Sequence, residues 1–511
     1  MSKMSKRNLS HHRNCMATSC SHKVSPSFAI AVLFLACVIP SQSQIFKTTP
    51  VLYQSGGNMA RAVAVSDLNK DGNADVIVVN SGAPPAGSVG VLLGNGDGTF
   101  QAAATYPVHW GADAVAVRDL NGDGWPDIVV GINDGAGVTS LSVLLNKGDA
   151  SFQSAVGYAS AGFDISSVAI ADVNGDGKLD VVALDQADAT FRHSQIALLL
   201  GNGDGTLQSA VNYELTGGGT NALSLAAADL NRDGRPDLVV TDYDTKLSKP
   251  VIYVLLNRGD GTLALPLPYS TGAFGTSLVL GDVNHDGKLD AIISSNSGQL
   301  GVLFGDGNGS FGTAAVFPSG FTNPSAVAIG DFNGDGVADL AVTDHVAAGK
   351  LAVFLNNGHG AFGTPVIYGT GGRFANSVAA ANLNRDGKRD LVVADGCDGF
   401  TYTCPLGGGI AVLLGVPANT TTKVTTSGTP SQSGQAVTFT AAVTATEGPI
   451  PNGTIITFYN NGTKMGTAKT TSGIAKFSTS SLSVGTHAIK ASFPSSAYFK
   501  ASSGTVSQIV N

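Results

Sequence analysis

The chain has 511 residues, of which 66 are glycine, 43% are hydrophobic and only 13% are charged. That is long enough for two or more domains, too apolar for a disordered chain, and better suited to short strands joined by tight turns than to helices. The formal net charge of −8 argues against nucleic acid as a partner, since such binding needs basic patches against phosphates.

The N-terminal 43 residues carry Lys3, Lys6, Arg7, Arg13 and Lys23 without an acid, then an apolar run over 28–39, then Ser41-Gln42-Ser43. This pattern predicts a signal peptide over 1–43, cleaved after Ser43. Two alternatives remain open: a lipoprotein-type box at Leu35-Ala36-Cys37, with Phe34 fitting its first position poorly, and an uncleaved anchor, for which the run is short. A secreted or cell-surface protein is expected, with no membrane span in the mature chain. Cleavage lowers Lys plus Arg from 29 to 24 against 37 acids, near −13. Of five cysteines, Cys15, Cys20 and Cys37 leave with the presequence. The close pair Cys397 and Cys404 is expected to form one disulfide.

From residue 44 onward one unit recurs. The pattern Asp-x-Asn-x-Asp-Gly-x-x-Asp begins at Asp67, Asp119, Asp172, Asp229, Asp282 and Asp331, and a seventh copy begins at Asn382. Starts are separated by 52, 53, 57, 53, 49 and 51 residues. Each copy is preceded by an alternating stretch such as Ser325-Ala326-Val327-Ala328-Ile329 and followed by a β-rich run such as Asp237-Leu238-Val239-Val240. A third apolar run, a Gly-rich turn such as Gly94-Asn95-Gly96-Asp97-Gly98 and a fourth strand ending at Tyr106, Tyr213, Tyr269 or Tyr368 complete the unit. Four short strands per unit predict a propeller blade. The seventh unit stops after its third strand near 410–414, and the segment from Phe46 to Tyr53 resembles the missing fourth. The expected architecture is therefore a seven-bladed β-propeller over 44–416, closed by its own N-terminus. An open solenoid is the competing arrangement.

The nine-residue loop has the donor set of a calcium site. Calcium takes 6–8 oxygen ligands, and positions 1, 3, 5 and 9 supply side-chain oxygens while position 7 supplies a backbone carbonyl. Gly at position 6 permits the reversal. The expected ligands are Asp67, Asn69, Asp71, Asn73 and Asp75 in the first loop, and Asp119, Asn121, Asp123, Trp125 and Asp127 in the second. The third holds Asp172, Asn174, Asp176, Lys178 and Asp180, and the fourth Asp229, Asn231, Asp233, Arg235 and Asp237. Asp282, Asn284, Asp286, Lys288 and Asp290 form the fifth, and Asp331, Asn333, Asp335, Val337 and Asp339 the sixth. The seventh, Asn382, Asn384, Asp386, Lys388 and Asp390, lacks a carboxylate and is expected to bind more weakly. Three carboxylates ~4 Å apart repel by about 4 kcal/mol per pair at an effective dielectric near 20, so metal binding and folding should be coupled. Turn propensity alone explains Asp and Asn but not their fixed spacing. An apolar position 12 (Val78) and flanking strands disfavour an EF-hand.

These units resemble the FG-GAP (VCBS-type) repeats of integrin α-subunit propellers, over roughly residues 44–416. The resemblance implies a calcium loop between the first two strands of each blade. It also implies a recognition platform in cell adhesion, or a companion domain in secreted bacterial proteins.

Other motifs carry less. The Gly-Asp-Gly turns at Asp97, Asp204 and Asp260 fit hairpins, and Arg258-Gly259-Asp260 aligns with them rather than standing as an attachment tripeptide. No nucleophile elbow or zinc pattern appears, and no enzyme is expected. In a four-stranded meander the calcium loops and Gly-Asp-Gly turns share one face, while the variable segments 83–86, 186–194, 243–250 and 396–405 share the other. Recognition is expected there, with Phe191, Arg192, His193, Tyr243, Phe400 and Tyr402 as the candidate ligand contacts. Trp110, Phe163, Phe274, Phe321 and Phe374 recur before the first strand of their units and are expected to pack.

Beyond a linker at 417–421 the composition turns to Thr, Ser and Val, with alternating runs at 436–443, 454–459, 474–478, 486–493 and 505–510. This predicts an Ig-like β-sandwich over 417–511 that also resembles bacterial Ig-like repeats, without the antibody-type disulfide. The whole reads as an all-β, calcium-binding recognition or adhesion protein with an extracellular protein or polysaccharide partner. A lectin-like polysaccharide module, or an accessory domain of an extracellular enzyme system, is the alternative.

Overall fold

The computed structural model describes residues 45–83, 86–133, 141–160, 164–186, 193–215, 218–219, 221–396, 408–446 and 448–511. The presequence, Cys397, Cys404, Phe163, Phe191, Arg192, Phe400 and Tyr402 lie outside them. No helix occurs among the described residues, so none there is long and apolar enough to cross a membrane.

The repeats form four-stranded antiparallel sheets, seven among the described residues. The first is typical: Ala60–Ser66, Asp75–Ala83, Ala86–Leu92 and Ala104–His109 pair in chain order. Second strands such as Asp127–Ile132 and Asp339–Asp344 are buried along their whole length. This is why they read as unbroken apolar runs: a central strand with a neighbouring sheet on each side has no solvent face. Fourth strands such as Val211–Glu214 and Leu267–Ser270 are mostly exposed at the rim. They extend one to three residues past the tyrosines expected to end them, as in Ala104–His109 and Val366–Gly369.

The hydrophobic cores lie between sheets rather than within them. One cluster joins Val79 and Val91 of the first sheet to Ile128 and Val130 of the second, and the same arrangement passes from sheet to sheet. The last of these clusters joins Val392 and Val412 of the seventh sheet to Val76 and Leu92 of the first. First strands of consecutive sheets touch, including Ala375–Ala381 against Ala60–Ser66. The chain is thus a closed β-propeller, not an open solenoid.

Closure uses the N-terminus. The seventh sheet has Val51–Gln54 as its outer strand, paired with Gly409–Leu413. Phe46 makes an isolated bridge to Gly415, as Phe100 does to Gly94 within the first sheet. Its ring is 1% exposed and meets Phe332 and Tyr368 edge-on at 5.5 and 5.7 Å.

The C-terminal region is a two-sheet sandwich. Thr420–Thr426, Val437–Ala445 and Ile474–Thr479 form one sheet. Thr463–Lys469, Ile455–Asn460, Gly485–Phe493 and Ser502–Val510 form the other. Phe439, Phe458, Phe493 and Phe499 fill the space between. Two of these strands, Thr420–Thr426 and Thr463–Lys469, were not anticipated, and the linker is correspondingly shorter than 417–421. Both are rich in Thr and Lys, so their half-buried character leaves a weak hydrophobic signal.

Candidate metal centres in the blade loops

Each acidic loop joins the first and second strands of its sheet. In the second loop, Asp119 accepts the Gly122 N–H on Oδ1 at 2.8 Å and the Gly124 N–H on Oδ2 at 2.7 Å. Asn121 Oδ1 accepts the Asp123 N–H at 3.0 Å, and Asp123 Oδ1 accepts the Trp125 N–H at 2.8 Å. The bond from the position-6 glycine to the position-1 carboxylate recurs in the first six loops. In the seventh, Asn382 Oδ1 is buried with no hydrogen-bond partner among the described residues. The position-6 glycines have φ between 79° and 88°, the left-handed region that lets the chain fold back on its own carboxylates.

Position 9 behaves differently from positions 1 and 5. Asp127 is fully buried, its Oδ2 accepting the Leu120 N–H at 2.9 Å and its Oδ1 the Asn146 N–H at 2.8 Å. The same pair of bonds holds Asp75, Asp180, Asp237, Asp290, Asp339 and Asp390. This aspartate therefore staples the loop to the start of the next hairpin. Burial raises its pKa in every blade, to about 6 in Asp127 and Asp390 and about 7 in Asp339. In the six full loops the acids at positions 5 and 1 raise it further.

Among the described residues, no three His, Cys, Asp or Glu side chains converge as a ready-made cage. The donor set nonetheless fits a hard divalent cation. In the six full loops the position-9 carboxylate lies within electrostatic reach of those at positions 1 and 5, and each oxygen that accepts one N–H keeps a second lone pair. Asn73 Oδ1, at position 7 of the first loop, is also buried without a partner.

Two regularities escaped sequence reasoning. First, the position-7 side chain of each of the first six loops lies over the leading glycine of its own sheet's hairpin turn. A Cβ added at Gly96 would meet Asn73, at Gly148 Trp125, at Gly203 Lys178, at Gly259 Arg235, at Gly307 Lys288 and at Gly358 Val337. Second, position 4 is left-handed throughout, filled either by Gly or by Lys70, Arg232, His285 and Arg385. Arg385 donates to the Asp71 and Gly72 carbonyls of the first loop, Arg232 to the Gly287 carbonyl of the fifth, and Lys70 stands 4.4 Å from the Trp125 ring centre. The signal was present as Gly, Lys, Arg or His at one position, but turn statistics do not reveal where an arm reaches.

The Gly-Asp-Gly turns close on themselves. Asp260 Oδ1 accepts both the Thr262 N–H and its hydroxyl, and Arg235 donates to the Arg258 carbonyl, so the apparent attachment tripeptide is part of a hairpin.

The opposite ends of the second strands carry an unforeseen latch. Ser55 donates to Asn80 at 2.6 Å, Ser160 to Asp185 at 3.3 Å and Thr370 to Asp395 at 2.8 Å, each across 25 residues and between adjacent sheets. Asp242 occupies the corresponding place in the fourth sheet, with its Oδ1 on the Asn221 and Tyr243 N–H groups. Burial lifts Asp242 to about 6 and Asp395 to about 7. Of the candidate ligand contacts that are described, Tyr243 is exposed, and His193 lies within electrostatic reach of Asp242. They share this rim, away from the acidic loops.

Residues 67–130, 119–183, 187–240, 233–293 and 282–342 match the FG-GAP-like repeat, together just over half of the chain. The chain belongs to the FG-GAP-like repeat family. Residues 424–511 of this FG-GAP protein match the bacterial Ig-like domain (group 3). It is similar to integrin alpha pat-2 of Caenorhabditis elegans, 29% identical over 37% of this chain and 18% of that protein. It is also similar to chicken (Gallus gallus) integrin alpha-V, 26% identical over 40% of this chain and 22% of that protein. Integrin alpha-PS5 of Drosophila melanogaster is 32% identical over 26% and 15%. The FG-GAP protein thus spans less than a quarter of the length of these relatives. Among solved structures, BBS1N in complex with ARL6DN is similar at a TM-score of 0.47 and 11% identity, over 73% of this chain and 97% of that one.

Proposed function

We propose that this FG-GAP protein is a secreted or cell-surface recognition protein whose propeller is made rigid by calcium in its blade loops. The observation that carries the reading is the six-fold repetition of one acidic loop whose position-1 and position-5 carboxylates are already ordered by backbone N–H groups, with a seventh copy that has Asn382 at position 1. Ordering the ligands beforehand lowers the entropy lost on metal binding. Positions 1, 3 and 5 with the position-7 carbonyl would hold the ion, and the position-9 carboxylate would close the shell with its remaining lone pairs. Calcium is structural in this reading, and no residue is assigned a catalytic role.

The partner, an extracellular protein or polysaccharide, would meet the opposite rim, where His193 and Tyr243 lie among the variable connections that a rigid scaffold presents. Calcium titration of the mature chain and of an Asp119→Ala/Asp123→Ala variant tests the metal half: the variant should bind one ion fewer, and equal stoichiometry contradicts it. For the recognition half, His193→Ala/Tyr243→Ala should weaken capture of the partner from extracellular material. Specific hits on a glycan array would move the reading to the lectin-like alternative.

A further inference from the structure

In the first six sheets the position-7 side chain rests on the hairpin turn between the third and fourth strands. The seventh sheet has no such turn, because its fourth strand is Val51–Gln54 and its third runs on toward the C-terminal domain. Lys388 therefore has nothing of its own sheet to cover. It turns inward instead: it is 2% exposed, its ammonium donates to the Val416 carbonyl, and it stands 5.2 Å from the ring centre of Tyr498. The equivalent Lys288 stays partly exposed, 3.3 Å from Asp286 Oδ2.

Tyr498 belongs to the Ig-like domain and spans two blade loops. Its hydroxyl donates to the Gly387 carbonyl at 3.2 Å, and its ring covers Gly334, where a Cβ would come within 2.3 Å. Gly448 of the same domain lies against the Asn333 carbonyl. The Lys388 ammonium thus sits under the docked domain, within electrostatic reach of Asp386, Asp390 and Asp331.

We infer that the seventh loop, seated with the sixth beneath the Ig-like domain, holds no calcium, the Lys388 ammonium supplying the positive charge that an ion supplies in the other six. Asn382 has already removed one carboxylate, so the loop has two acids to balance rather than three. A divalent ion there would face a buried like charge that cannot swing out to solvent while Tyr498 covers it. The inference rests on the calcium reading for the first six loops.

The test uses the full mature chain, with calcium counted by equilibrium dialysis and the linker near 416–419 probed by proteinase K. The wild type should bind one ion for each of the first six loops, and Asn382→Asp/Lys388→Met should bind one more. Lys388→Met and Tyr498→Ala should each speed linker cleavage by about tenfold or more, because cleavage follows local opening. Lys350→Met, at the exposed start of the third strand of the sixth sheet and outside every acidic loop, should change neither. A wild type that binds an ion in the seventh loop as well, or cleavage in both docking variants at the wild-type rate, overturns the inference. A chain that binds no calcium refutes the calcium reading, and the cleavage rates then decide the docking by themselves.

Discussion

Replacing Asp395 with asparagine should make the protein's stability less dependent on pH, with the sign fixed by burial. Asp395 ends the second strand of the seventh sheet and is 5% exposed. Thr370 donates to its Oδ1 at 2.8 Å, while Oδ2 has no partner among the described residues and faces Gly372, where a Cβ would lie 2.4 Å away. Burial lifts its pKa from 3.8 to about 7. Between those values the folded chain keeps a proton that the unfolded chain has released. Its stabilising contribution is therefore fully present below about pH 4 and is lost as pH rises to about 7. At 1.36 kcal/mol per pKa unit, the swing is ~2–4 kcal/mol. The amide in Asp395→Asn keeps an acceptor for Thr370 without the charge. Urea unfolding of both proteins from about pH 4.5 to 8, in saturating calcium, should show the variant gaining on the wild type by that amount. Taking the difference cancels the position-9 aspartates, whose carboxyls burial also pushes upward. A stability difference that does not change with pH refutes the argument.

Two further outcomes follow from the packing and a third from the cysteine spacing in the sequence. Phe46→Ala, which removes a buried ring from the segment that closes the propeller, should cost ~3–5 kcal/mol in denaturant unfolding. A cost under ~1 kcal/mol would mean that the N-terminus does not hold the ring shut. Gly203→Ala should cost ~1–2 kcal/mol, since φ is 81° and the new Cβ meets Lys178, whereas Gly369→Ala, with open space around it, should be near neutral by the same assay. Oxidised mature protein should show no free thiol by a colorimetric titration if Cys397 and Cys404 are paired.

Much of the fold was legible because the propeller repeats a strong local signal. The loop that begins at Asp119 and its six counterparts set the spacing of the sheets, and unbroken apolar second strands such as Asp339–Asp344 marked the buried centre of each blade. The partial units at the two ends were enough to anticipate Val51–Gln54 beside Gly409–Leu413. What stayed hidden depends on contacts between units. Lys388 looks like Lys178 and Lys288 in sequence, and only the missing hairpin in its sheet sends it beneath Tyr498. The Thr370–Asp395 latch joins two residues that look like ordinary strand-end polar groups until neighbouring sheets bring them together. Thr420–Thr426 was missed because its alternating burial is carried by Thr and Val rather than by large apolar side chains.

Thermal unfolding of the mature protein in excess calcium and in chelator, with metal analysis of the material as purified, bears most directly on the account. Each site saturated a hundredfold above its Kd adds about 2.7 kcal/mol, so several filled loops should raise the midpoint by ~10 °C or more. Purified protein free of calcium, with a midpoint that excess calcium leaves where chelator put it, would contradict it.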